Sequence, residues 1–268
     1  MSDGPPQIFD RKAIRQHYAR AVRIGGDRFL HEEVANHILE RISAIPKREW
    51  MWRASIEAEM DDEERLRMGR APYDLVTSVL ALHAVNDLPG VLVQVRRALK
   101  PDGLFLAALF GGETLTELRQ SLATAEIEVT GGISPRVAPF GDVRDLGGLL
   151  QRAGFALPVA DVERTVVRYR DLSSLVRDLR AMGETNALVE RSRKPMPRAL
   201  WAAAAAHYAA HFADPDGKLR ATFDIVYLTG WAPHESQQQP LKPGSAKTRL
   251  ADALGTDERG AGEKPPGR

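Results

Sequence analysis

Leu30, Val34, Ile38 and Ile42 recur at intervals of four, one apolar stripe on a helix that Asp27 is placed to cap and Pro46 to end. A shorter helix is predicted before it, over residues 11–22. Residues 74–80 (DLVTSVL) and 104–109 (LFLAAL) are apolar nearly throughout, as strands of a parallel sheet buried on both faces are. Between them, Asp87 and Pro89 suit a helix start, and Val91, Leu92, Val95 and Leu99 form its inward face. The KPDG run at 100–103 reads as the turn into the second strand.

Further on, Thr114 and Glu117 have the spacing of a capping box, and Leu115, Leu118, Leu122 and Ala125 follow on one side of a helix that ends near Gly131. A helix carrying Val143, Leu146, Leu149, Leu150 and Ala153 stops at Gly154. Residues 159–169 then read as a strand, 172–182 and 198–212 as helices, and 221–228 as the last strand. Strands alternating with helices predict a Rossmann-like α/β sheet with helices on both faces, which binds ligands beyond the carboxyl ends of its strands. Residues 47–72 break the rhythm with a Trp-Met-Trp cluster and then mostly charges; only 55–60 can be a strand, a short one covering the edge of 74–80. These boundaries give N-terminal helices over 1–46, a main domain over 47–243 and a disordered tail over 244–268.

An apolar fraction of 43% is enough for a core, and a net charge of +1 gives no support for a nucleic-acid protein steered by a basic field. The absence of cysteine excludes disulfides, thiolate metal sites and a cysteine nucleophile, and suits a reducing compartment. The chain opens without a secretory pattern and has no apolar run near ~18 residues, so a cytoplasmic protein without a membrane span is expected.

The run YDLVTSVLALHAVNDLPGVLVQVRRALKPDGLFLAALFGGETLTELR (73–119) resembles the second half of class I S-adenosylmethionine-dependent methyltransferases. SPRVAPFGDVRDLGGLLQRAGF (134–155), MGETNAL (182–188) and GWAPHESQQQPLKPGSA (230–246) narrow the resemblance to the branch of the arginine hydroxylase that assists assembly of respiratory complex I. That branch is itself similar to the biotin-pathway enzyme that methylates malonyl-carrier protein. The resemblance implies seven strands, with the last antiparallel and slotted between the fifth and sixth; 74–80, 104–109, 159–169 and 221–228 are then strands four to seven. It implies S-adenosylmethionine as cofactor, and as partner a protein such as a complex I subunit whose arginine is hydroxylated, or else a small acid that is methylated.

One departure matters. The family's first strand ends in an acidic residue and a Gly-x-Gly turn, where the backbone approaches the methionine part of the cofactor, and its second ends in an acid for the ribose hydroxyls. Two strands and two helices need about 40–50 residues. Between the second helix and the point where family-like sequence resumes stand only residues 47–60, without a glycine. A truncated sheet of about four or five strands is expected, with cofactor binding impaired.

By the same resemblance, Asp61 or Asp62 matches the acid near the adenine amino group, and Ser78 and Leu80 line the cofactor side of their strand. His83 stands at the pocket mouth as the one candidate general base, with Ala84 where relatives have tryptophan. Glu113 and Arg136 are candidates at the substrate mouth and the partner-binding loop 135–140, and Glu184, Asn186, His234 and Glu235 are candidate substrate contacts. Each has a plainer reading as a solvated turn, a helix cap or a loop anchor. His207 and His211 have metal-compatible spacing but lack an evident third ligand, and His31 and Glu33 point apart on their helix, so no metal is expected. Three readings stay open: an enzyme, a non-catalytic assembly factor, and a truncated product with an unstable sheet edge.

Overall fold

The computed structural model describes residues 6–45, 49–61 and 64–238. Two helices lead, α1 (Arg11–Ile24) and α2 (Phe29–Ser43), and the Asp27 carboxylate accepts the Phe29 N–H at the start of the second (2.8 Å). The sheet has five strands: β1 (Arg53–Ser55), β2 (Tyr73–Val79), β3 (Leu99–Phe110), β4 (Ala156–Tyr169) and β5 (Leu219–Trp231). Its order is β1-β2-β3-β5-β4, with β1, β2 and β3 parallel and β5 antiparallel to both neighbours. The reversed last strand slotted into the sheet is therefore present as expected, and the α/β, Rossmann-like class with it.

The remaining helices are α3 (Ile56–Glu59), α4 (Leu88–Ala98), α5 (Thr116–Thr130), α6 (Val143–Arg152), α7 (Leu172–Met182) and α8 (Arg198–Phe212). They cover both faces of the sheet. On one, Leu30, Val34 and Ile38 of α2 join buried residues of α5, α7 and α8 against Leu106, Ala108 and Phe110. On the other, α4 and α6 bury Val91, Val95 and Leu150 against Val76, Phe105 and Leu109. Alternation along β3 sends Phe105 and Leu106 to opposite cores, which is why the strand is apolar throughout.

Three local expectations give way to tertiary contacts. The edge strand lies at Arg53–Ser55, and residues 56–59 coil into α3 because Ile56 is fully buried there. β1 still covers β2, pairing Ala54 with Val76, and beyond it the Val79 N–H donates to the Glu57 carboxylate (2.8 Å). The KPDG run is a bulge inside β3: Tyr73 pairs with Leu99 but Leu75 with Leu104, and Asp102 takes a positive φ of 61°. No capping box forms at Thr114 and Glu117. The Thr114 hydroxyl donates to the Asp224 carbonyl (3.1 Å) and accepts its N–H (3.0 Å), while Glu117 accepts the Thr222 N–H (3.1 Å). Both side chains pin α5 to β5 rather than cap it. The proposed tail, residues 244–268, lies outside the described residues; the compact unit ends at His234, and 235–238 form a turn.

Candidate functional site

A cavity of about 720 Å³ opens at the carboxyl ends of β2 and β3. Val79 and Leu80 form its floor with Phe110, and α1, α2 and the segments 136–140 and 183–187 make its walls. Leu80 holds a left-handed φ of 50° while its N–H still reaches the Ala108 carbonyl (2.8 Å), so the chain turns sharply and returns His83 over the strand ends. Gly183 closes α7 at φ +88°, a left-handed conformation that a residue with a Cβ adopts only under strain.

The polar centre is Glu184 between two imidazoles. His83 Nε2 lies 3.1 Å from one carboxylate oxygen and His31 Nε2 3.9 Å from the other. His83 packs its ring on Phe110 (4.7 Å between centroids) and Phe140 (5.9 Å), and its side chain is 6% exposed. Burial pushes the pKa of His31 down to about 4, more than Glu184 pulls it up, so this imidazole is neutral near neutral pH. His31 Nδ1 and His83 Nδ1 are both buried and without a partner.

The structure brings five of the sequence candidates to this wall: Leu80, His83, Arg136, Glu184 and Asn186. Asn186 anchors its loop, donating to the Pro135 carbonyl (2.8 Å) and accepting the Leu188 N–H (3.0 Å). Arg136 grips Glu126 with two bonds (2.9 and 2.5 Å), and this guanidinium, with Ser134, holds the Glu126 carboxyl down at about 2. Ser78 is fully buried, its hydroxyl given to Glu57 (2.6 Å). Asp61 folds back on Arg65 in a turn, and neither it, the exposed Glu113 nor the exposed His234 is on the wall. Glu235 is exposed in its turn, and Asp62 lies outside the described residues.

His207 and His211 stack on each other (4.1 Å), the former bonded to Ser121; among the described residues no group of three could hold a metal. Sequence reasoning missed His31, Arg28 and Glu57. His31 follows Leu30 at the edge of the apolar stripe in the first turn of α2, a place where a polar residue shares the buried face, and this was the available signal.

S-Adenosylmethionine finds no family-type cradle here. The junction after β1 is Ser55-Ile56-Glu57, with Ile56 buried and without a glycine. The Glu57 carboxylate, which closes the end of β2, is consumed by Val79 N–H and the hydroxyls of Ser78 and Ser55. The residues present do not fit the cofactor as the family holds it.

A model of a methyltransferase-domain family matches residues 14–158. The Homo sapiens protein named arginine-hydroxylase NDUFAF5, mitochondrial, is 47% identical over 191 residues, 71% of this chain and 55% of that one. The malonyl-[acyl-carrier protein] O-methyltransferase of Xylella fastidiosa is 40% identical over 172 residues, 64% of this chain and 56% of the relative. Among solved structures, the YcgJ protein of Bacillus subtilis aligns over 64% of this chain and 69% of its own, with 14% identity and a TM-score of 0.41. The chain spans about half the length of the curated relatives it matches.

Proposed function

The chain belongs to the methyltransferase-domain family, and from that premise we propose that it binds an arginine side chain of a partner protein while its hold on S-adenosylmethionine is impaired. One observation carries the reading: the Glu184 carboxylate stands in an aromatic-lined cavity between two imidazoles. A guanidinium has five N–H donors and no acceptor. The Glu184 carboxylate offers acceptors only, the complement of that fork. The similarity to a protein named for arginine hydroxylation supports the same ligand class.

On this reading the partner is a protein of the kind the resemblance implies, a respiratory complex I subunit, and the chain works in the cytoplasm. The residues present supply binding and orientation: Glu184 takes the charge, the imidazoles set the plane, and Asn186 and the Arg136–Glu126 pair hold the two loops that frame it. No step of hydroxylation or methyl transfer is assigned to them.

Isothermal titration tests both halves. S-Adenosylmethionine at millimolar concentration should give no heat, and micromolar binding would overturn the impaired-cofactor reading. An arginine-containing peptide should bind more tightly than its citrulline counterpart, and Glu184→Gln should weaken it at least about tenfold, or 1.4 kcal/mol. Equal affinity for both peptides would end the guanidinium assignment.

A further inference from the structure

Two of the guanidinium groups on the cavity wall are tied to the protein. Arg11 donates to the Ala84 carbonyl (3.3 Å) with Glu64 3.7 Å away, and Arg136 grips Glu126. Arg28, at the start of α2, is different. It is half-buried, its Nε is sealed from water without an acceptor, and its guanidinium enters no hydrogen bond or ion pair among the described residues. It lies over the Tyr18 ring, 5.3 Å from the centroid. The neighbouring carboxylate does not serve it, since Asp27 accepts the Phe29 N–H (2.8 Å).

A cation withdrawn from water without a counter-ion carries a desolvation cost that nothing else in this chain offsets. Arg28 stands one helical turn before His31, the Glu32 N–H closing that turn on the Arg28 carbonyl (3.1 Å), and its charge acts on the His31 ring. His31 Nε2 in turn lies 3.9 Å from Glu184. The wall therefore presents a cation and a carboxylate with a neutral imidazole between them. His83 Nδ1, on a side chain only 6% exposed, adds a second unfilled polar atom to the same wall.

We infer that Arg28 is an anion subsite, and that it holds a carboxylate of the same ligand whose guanidinium meets Glu184. The ligand is then an arginine with a carboxylate beside it, either its own α-carboxylate or the side chain of an adjacent acidic residue. The guanidinium half rests on the arginine reading above; the carboxylate half stands on Arg28. Charge selects a carboxylate over a phosphate. A phosphoryl group brings about −1.5 to −2 charges toward a wall where Glu184 is already negative, whereas a carboxylate brings one, which Arg28 cancels in a bidentate pair. The cavity, at about 720 Å³, has the size of a site for a ligand larger than one side chain.

Isothermal titration of the full chain tests it with N-acetylarginine, N-acetylcitrulline and the amide of each. Where the carboxylate is the arginine's own, both free acids should bind at least about tenfold tighter than their amides. Where it belongs to the adjacent residue, N-acetyl-Arg-Asp-amide should exceed N-acetyl-Arg-Asn-amide by the same factor. Arg28→Met, which keeps a stem over Tyr18, should erase the preference and leave the uncharged counterparts at wild-type affinity; Arg28→Lys should keep part of it. The thermal midpoint of Arg28→Met should stay level or rise, because an uncompensated charge is removed, whereas a fall would mark Arg28 as structural. Equal affinity within every pair, no heat from any of these ligands at millimolar concentration, a preference that survives Arg28→Met, or tighter binding of inorganic phosphate would each overturn the inference. Arginine and citrulline ligands that bind alike while acids still exceed amides would overturn the guanidinium reading and leave the anion subsite standing.

Discussion

His31 is uncharged in the folded chain because desolvation outweighs the attraction of Glu184. An unfolded chain protonates this imidazole near pH 6.5, whereas the folded one waits until about 4, so the unfolded state binds more protons in that interval and stability falls as pH drops through it. Glu126 works in a lower window. Its folded pKa of about 2 lies under the ordinary 4.5 of a glutamate, so its contribution is complete above 4.5 and is lost as pH falls toward 2. Urea unfolding across this range should therefore give two separable declines. His31→Gln should remove the upper one and Glu126→Gln the lower. A single decline unaffected by His31→Gln would contradict the assigned neutral state. Neither residue announces its chemistry in sequence. His31 depends on which side of α2 meets the cavity, and Glu126 on a loop that returns Arg136 to it; Glu184 and His83, which the sequence does single out, are visible because they sit beside strand and helix ends.

At the level of elements, periodicity located most helices and strands within a few residues and failed where distant chain competes for the same groups. Thr114 and Glu117 have the spacing of a capping box, yet the open backbone of β5 offers both a better partner, and α5 begins from a left-handed Leu115 without a side-chain cap. Thr114→Ala should then cost about 1–3 kcal/mol, the penalty of leaving buried Asp224 backbone groups short of a partner. Chemical denaturation of the single variant checks it; a loss below about 0.5 kcal/mol would contradict the role given to this hydroxyl. The same competition accounts for β1. Residues 55–60 alternate well enough for a strand, but Ile56 fills the core and Glu57 closes the end of β2, which only a helical turn permits.

For the molecule as a whole, the sheet order was legible through the family resemblance, and the shortage of chain before Tyr73 led to an expectation of four or five strands, against the five found among the described residues. The cavity's polar centre was only half legible, since its two imidazoles arrive from α2 and from the turn after β2, segments that no periodicity relates. Thermal melting offers a check at this scale: added S-adenosylmethionine should leave the midpoint unchanged, because a ligand raises it only in proportion to its binding to the folded form.

The antiparallel strand also sets a schedule for biosynthesis. β5 ends at Trp231 yet lies between β3 and β4, so a growing polypeptide must hold a gap open in its sheet between β3 and β4 until residues 219–231 have been made. Ribosome-bound chains arrested before Leu219 should be captured by chaperones and cut readily by protease, and release of the residues through Trp231 should abolish both together.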